Sequence, residues 1–167
     1  PRQRSVGQVG LARLQAQSAV PVLLVTQNVD DLNERAGAKV LHMHGELGQA
    51  LCASCDHRWP APDVMAPDDP CPACGAAATR PDVVWFGEIP YGMDQIEASL
   101  RQATLFVAIG TSGEVYPAAG FVNAAKAYGA QTVEINLEPT SQRLFDRQIA
   151  GKATKAVPAF VAEMLAR

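Results

Sequence analysis

The chain has 167 residues, 48% of them apolar, and a net charge of −3. That is enough for one domain with a real core and a small insert, and the apolar share argues against disorder. No long run of Lys or Arg appears, which speaks against a nucleic-acid or membrane-surface partner, and no apolar run approaches the roughly 18–20 residues that span a bilayer.

In chain order, Val9, Leu11 and Leu14 give a short helical pattern. Val22-Leu23-Leu24-Val25 reads as a strand buried on both faces. Asp30 is placed to cap a helix through Leu32 and Arg35, and Gly37 to stop it. Val40 to His44 follows as a second strand. Residues 48–79 differ in character, with all four cysteines, five of the twelve prolines and little periodicity; they read as an insert held by metal and not by a core. Val83 to Phe86 then predicts a strand, Met93 to Gln102 a helix, and Leu105 to Ile109 another doubly buried strand. Pro117 opens a helix that Gly129 closes. Val133, Ile135 and Leu137 alternate with Glu134, Asn136 and Glu138 as a strand, and a final helix is expected from about Pro158. Strands alternating with helices imply an α/β fold with a parallel, Rossmann-like sheet covered on both faces. The expected division is 1–47 with 80–167 as that domain and 48–79 as a zinc-binding module. Ligands of such sheets bind beyond the carboxyl ends of the strands, so Gln27-Asn28, Gly110-Thr111-Ser112 and Asn136 are the polar residues to examine.

The strongest motif is metallic. Cys52-Ala-Ser-Cys55 and Cys71-Pro-Ala-Cys74 stand fifteen residues apart, the spacing of a four-cysteine zinc ribbon. Each knuckle aims two sulfurs at one ion, and Gly75 lets the second turn reverse. Four thiolates leave no open position, so the zinc is expected to be structural. His57 reads as an exposed loop histidine. His42 and His44 share a strand face; on residue grounds they read first as half-buried histidines with satisfied hydrogen bonds, and second as cleft residues, because Gly45 turns the backbone beside His44. Gly110-Thr111-Ser112-Gly113 is able to present N–H groups to a phosphate, but no G-x-G-x-x-G fingerprint occurs.

Together these segments resemble a sirtuin. Thr26-Gln27-Asn28-Val29-Asp30-Asp31-Leu32 with Arg35-Ala36-Gly37 is similar to the family's T-Q-N-I-D-x-L motif, and His44-Gly45-Glu46-Leu47 to its H-G-x-L. Arg80-Pro81-Asp82-Val83-Val84-Trp85-Phe86-Gly87-Glu88 resembles its R-P-x-V-V-x-F-G-E segment, and Gly110-Thr111-Ser112 and Asn136-Leu137-Glu138 its two later nucleotide motifs. Val115 to Phe121 is most like the bacterial class III branch. Upstream of Leu11 nothing matches the family's opening strand and glycine-rich loop, so the 167 residues alone are expected to bind NAD poorly and to turn over no acyl-lysine.

The resemblance implies an NAD-dependent lysine deacylase, acting on acetyl or succinyl and malonyl groups. The acyl oxygen displaces nicotinamide, and His44 serves as general base on a ribose hydroxyl. Gln27, Asn28, Val29 and Asp30 would face the nicotinamide and its ribose, Gly110, Thr111 and Ser112 the phosphates, and Asn136, Leu137, Glu138 and Ala153 the adenosine. Val84, Phe86, Gly87, Glu88 and Val115 would hold the acylated peptide as an added strand, and Cys52, Cys55, Cys71 and Cys74 the zinc. It further implies a cytoplasmic enzyme, monomeric when complete, acting on acylated-lysine proteins with no nucleic-acid or membrane partner. Two other readings predict different products: a zinc-ribbon binding module with no turnover, and a mono-ADP-ribosyltransferase.

Overall fold

The computed structural model describes residues 5–111, 113, 115–140 and 144–166. Helix α1, Val6–Gln17, begins at a capping box in which Ser5 and Gln8 satisfy each other's backbone N–H groups. Strand β1, Leu24–Thr26, leads through a turn to the short helix α2, Leu32–Arg35. The N-cap position of α2 is Asp31 and not Asp30 as expected; Asp30 Oδ1 instead accepts from Leu32 N at 3.2 Å in the turn before the helix, and Gly37 leaves it at φ +93. Strand β2, Val40–His42, runs parallel to β1, with Thr26 opposite His42. Strand β3, Gly45–Cys52, is central to an antiparallel sheet with β4, Arg58–Pro60, and β5, Thr79–Val83.

The α/β alternation then resumes. Helix α3 is Met93–Gln102 and β6 is Leu105–Ile109, both as expected from the pattern. A 3₁₀ turn at Ala118–Gly120 precedes α4, Phe121–Ala127, and Gly129 reverses the chain at φ +88. Strands β7, Gln131–Asn136, and β8, Arg147–Ala150, complete a second parallel sheet in the order β6-β7-β8, and α5, Ala153–Leu165, ends the chain.

One face of this second sheet is covered by α3 and α4 through Ile96, Leu100 and Ala125, which meet Phe106 and Met43. On the other face Val157, Phe160 and Val161 of α5 pack against Val133 and Ile135, and Leu11 and Leu14 of α1 join them. The parallel sheet covered on both faces is therefore present, but as two sheets: among the described residues β1 and β6 pair on one side only.

Several expectations are corrected. Val22 to Val25 is not a doubly buried strand; the strand starts at Leu24, and Leu23 and Val25 are each 37% exposed. Leu105 to Ile109 is half-buried throughout, because β6 lies at a sheet edge. The strand expected at Val83 to Phe86 lies earlier, at Thr79–Val83, since its hydrogen bonds are made to β3; residues 84 to 88 turn away. The last helix starts at Ala153, with Pro158 inside it and not at its head. Glu134, which alternates with the apolar residues of β7, is nonetheless 2% exposed; Thr140 N and Oγ1 and Gln148 Nε2 donate to its carboxylate.

Candidate active site and metal centre

His44 sits just past β2, in the turn before β3. Gly45 makes that turn possible. Its φ is +76, and a Cβ there would drive into the Asp82 carbonyl oxygen, so a side chain is excluded on both counts. The half-buried imidazole makes a 3.1 Å hydrogen bond from Nδ1 to the carbonyl oxygen of Gln27. A carbonyl only accepts, so Nδ1 carries the proton in the neutral ring and Nε2 keeps the lone pair.

The chain after β1 is fixed one carbonyl at a time. Met43 N donates to Thr26 O, His44 Nδ1 to Gln27 O, His42 Nδ1 to Asn28 O at 3.2 Å and Leu47 N to Val29 O at 2.8 Å. Gln27 Nε2 also reaches Thr111 Oγ1 at 3.3 Å, and Asn136 Nδ2 donates to Thr111 O at 3.0 Å. Gly110 N bonds Ile135 O, and Gly151 N bonds Asn136 O just before Ala153 opens α5. The carboxyl ends of β1, β6 and β7 thus converge on Thr111, where a parallel sheet presents ligands. Leu137 and Glu138 are exposed beyond it. Ser112 lies outside the described residues.

A second group lies on the far side of His44. Val84 N donates to His44 O at 2.9 Å, tying the segment after β5 to the histidine's own backbone. Beyond it Phe86 is fully exposed at 104%, and Gly87 turns at φ +91. Arg80 organises this turn, a role that its sequence context did not reveal. Its guanidinium forms two bonds to Glu88, at 2.6 and 2.9 Å, and stacks 3.7 Å from the centre of the Trp85 ring. Glu88 Oε2 also accepts from Trp85 N. Arg80 and that N–H hold the Glu88 carboxyl down at about 2. Asp82, 5% exposed, is a second unforeseen anchor: Arg58 of β4 meets it at 2.8 Å and Tyr91 at 2.7 Å, binding the cysteine-bearing strands to the His44 segment. Val115 is 45% exposed, and among the described residues no hydrogen bond joins it to residues 84–88.

The four cysteines come together as expected, all sulfurs lying within 4.8 Å of one another. Cys52 and Cys74 are 3.7 Å apart and Cys55 and Cys71 3.8 Å. A tetrahedron with Zn–S bonds of about 2.3 Å requires sulfurs about 3.8 Å apart, so the cage fits that ion. The two knuckles repeat each other. Ser54 N and Ala73 N each point at the first sulfur of their turn, and Asp56 and Gly75 each reverse the chain with positive φ. The thiols are also electrostatically unequal without a cation. Cys55, despite a His57 N–H that favours its thiolate, is pushed up to about 12 by its sulfur neighbours, while Cys71, against the effect of burial, is drawn down to about 7 by the Cys74 and Ala73 N–H groups. A dication would remove that conflict. With four thiolates around it, the ion has no place for water and its role is structural.

A shallow polar depression lined by Arg101, Tyr128 and Gln131 lies at the opposite, amino ends of β6 and β7. None of the residues just described borders it. No helix among the described residues is long and apolar enough to cross a membrane.

This combination defines an α/β protein with a Rossmann-like parallel arrangement, a histidine at the strand ends and a four-cysteine cage that fits zinc. The Sir2 family profile matches residues 3–117, and the chain belongs to that family, the sirtuins. It is 53% identical over 163 residues to an NAD-dependent protein deacylase of Caulobacter vibrioides, covering 96% of this chain and 67% of that protein. A Sir2 homologue solved with NAD superposes with a TM-score of 0.88 at 33% identity, over 97% of this chain and 65% of that one. A Sir2 homologue variant bound to 2′-O-acetyl-ADP-ribose superposes at 0.86 with 32% identity, over 97% and 67%. The chain spans 61 to 67% of the length of three curated relatives that it matches.

Proposed function

We propose that the complete protein removes acyl groups from protein lysines with NAD as co-substrate, releasing nicotinamide and O-acyl-ADP-ribose. The observation that carries this reading is the hydrogen bond from His44 Nδ1 to Gln27 O. It orients the ring and leaves Nε2 as the basic atom, and it does so from the very segment expected to hold the nicotinamide ribose. A base so oriented takes a proton from a ribose hydroxyl and returns it later, a task suited to an imidazole near neutral pH.

In this reading Gln27, Asn28, Val29 and Asp30 seat the nicotinamide end, and Gly110, Thr111 and Ser112 the phosphates. Asn136, Leu137, Glu138 and Ala153 line the adenosine end. Val84, Phe86, Gly87, Glu88 and Val115 pair with the acylated peptide. The exposure of Phe86 and the tie between Val84 and His44 support this, because they set a bare edge beside the base. Residues 48–79 act as a structural zinc module on a nucleotide-binding unit of 1–47 and 80–167. The acyl groups removed are acetyl and, from the likeness to the class III branch, succinyl or malonyl. The protein works in the cytoplasm as a monomer on acylated-lysine proteins, without nucleic acid or membrane.

The test is His44→Ala in the complete protein. Deacylation should fall by about 10²–10⁴-fold, the usual loss for a general base. NAD binding, followed by calorimetry, should persist, since the base acts after the co-substrate is seated. A variant that deacylates at full rate places the base elsewhere.

A further inference from the structure

His42 is a half-buried imidazole that the reaction as described does not use. Its side chain is 10% exposed, and both ring nitrogens are engaged. Nδ1 bonds the Asn28 carbonyl at 3.2 Å, and Nε2 bonds Glu34 Oε1 at 2.7 Å. Asn28 belongs to the turn before α2, and Glu34 lies within α2. The imidazole therefore closes a ring: turn, helix and strand β2 are locked to one another through a single side chain.

The neighbouring contacts show what that lock does. Four consecutive carbonyls, from Thr26 to Val29, are each held by a donor from residues 42–47. Two of those donors are backbone N–H groups and persist under side-chain substitution. Of the two that are imidazoles, His44 holds Gln27 and His42 holds Asn28. The Asn28 link alone depends on a further partner, Glu34, which keeps the His42 ring from swinging away. Asn28 N in turn donates to Thr26 Oγ1 at 3.1 Å, so a displacement of the Asn28 backbone strains a contact on each side of the residue.

We propose that His42, clamped by Glu34, is a positioning residue that sets the affinity for NAD through the Asn28 carbonyl, separate from the base function of His44. The proposal rests on the NAD-dependent reading above. It takes no proton from substrate; it holds the turn that does the seating.

The clamp also predicts which replacements are tolerated. The Asn28 carbonyl and the Glu34 carboxylate both accept, so the two bonds form together when each ring nitrogen carries a hydrogen. Glutamine at position 34 keeps an amide oxygen that accepts from Nε2–H, so Glu34→Gln preserves the ring orientation while alanine cannot.

The experiment compares His42→Phe, Glu34→Ala and Glu34→Gln with the unsubstituted complete protein. NAD binding is read by calorimetry, KM and kcat by deacylation of an acyl-lysine peptide, and zinc by metal analysis. His42→Phe and Glu34→Ala should weaken NAD binding and raise its KM by about tenfold, the loss typical of a hydrogen bond with a charged partner. The peptide KM and the zinc content should not change, and Glu34→Gln should restore most of the NAD affinity. Glu34 is partly exposed, so its variants keep the test open if His42→Phe does not fold. Unchanged NAD affinity in Glu34→Ala overturns the proposal, as does a loss of kcat with NAD binding intact. An unsubstituted protein that binds no NAD would instead refute the functional reading beneath it.

Discussion

Glycine at position 45 and histidine at position 44 form one unit. The left-handed backbone at Gly45 and the close approach of Asp82 let β3 start directly after the histidine, so the ring is aimed by a turn that no other residue type enters without strain. Beside it, Arg80 fixes Glu88, and this contact has a measurable acid–base consequence. The Glu88 carboxyl is lowered from 4.5 to about 2, so the ion pair contributes fully above the ordinary carboxylate range and is lost only as pH falls through about 2. Carbon NMR of the Glu88 carboxyl should show it still ionised where an ordinary glutamate, near about 4.3, is half protonated. A midpoint in the ordinary range would mean that the Arg80 clamp does not form in solution. At this scale legibility divided sharply. The cysteines declared themselves, because two short turns suffice to gather four sulfurs. His42 did not, because its partner Glu34 comes from another element and looks like any solvated helix acid. Asp82 was equally silent: its partners Arg58 and Tyr91 come from β4 and from the chain beyond β5.

Among the elements, the helices and strands with a strong local period were readable, and those defined by partners were not. Met93–Gln102 and Leu105–Ile109 carry their own pattern. Thr79–Val83 reads poorly as a strand because a proline lies within it, yet its register with β3 makes it one. The apolar run after it is instead an exposed turn. The final helix was missed at its start because Pro158 suggested a first-turn proline, whereas the helix begins five residues earlier, at Ala153, with Lys152 at its N-cap position. The cysteine-bearing sheet invites a direct test. Cys52 and Cys71 are buried while Cys55 and Cys74 are exposed, and beyond β4 the chain from 61 to 78 has little regular structure. The purified protein should contain one zinc per chain. Chelation or Cys71→Ser should unfold this segment, visible as lost amide protection there, because its folding free energy comes from the metal. A metal-free protein with unchanged protection would show that the sheet stands without the ion.

At the scale of the molecule, two parallel sheets meet at their carboxyl ends, where Gln27 reaches Thr111 and Thr111 meets Asn136. That convergence was visible in outline from strand–helix alternation and from polar residues following apolar runs. The separation into two sheets was not, since nothing in a strand's own sequence says which neighbour it lacks. The antiparallel cysteine-bearing sheet hangs from the same point through Gly45, with Asp82 and Val84 as its fastenings. The strand ends at Gln27 and Thr111 and the exposed segment after β5 are thus gathered around His44. The central claim is that this arrangement transfers an acyl group to NAD-derived ADP-ribose. The most direct measurement is mass spectrometry of the products formed by the complete protein from NAD and an acetyl- or succinyl-lysine peptide. Deacylated peptide, nicotinamide and O-acyl-ADP-ribose are expected in equal amounts. ADP-ribose attached to protein, or no product at all, would contradict it.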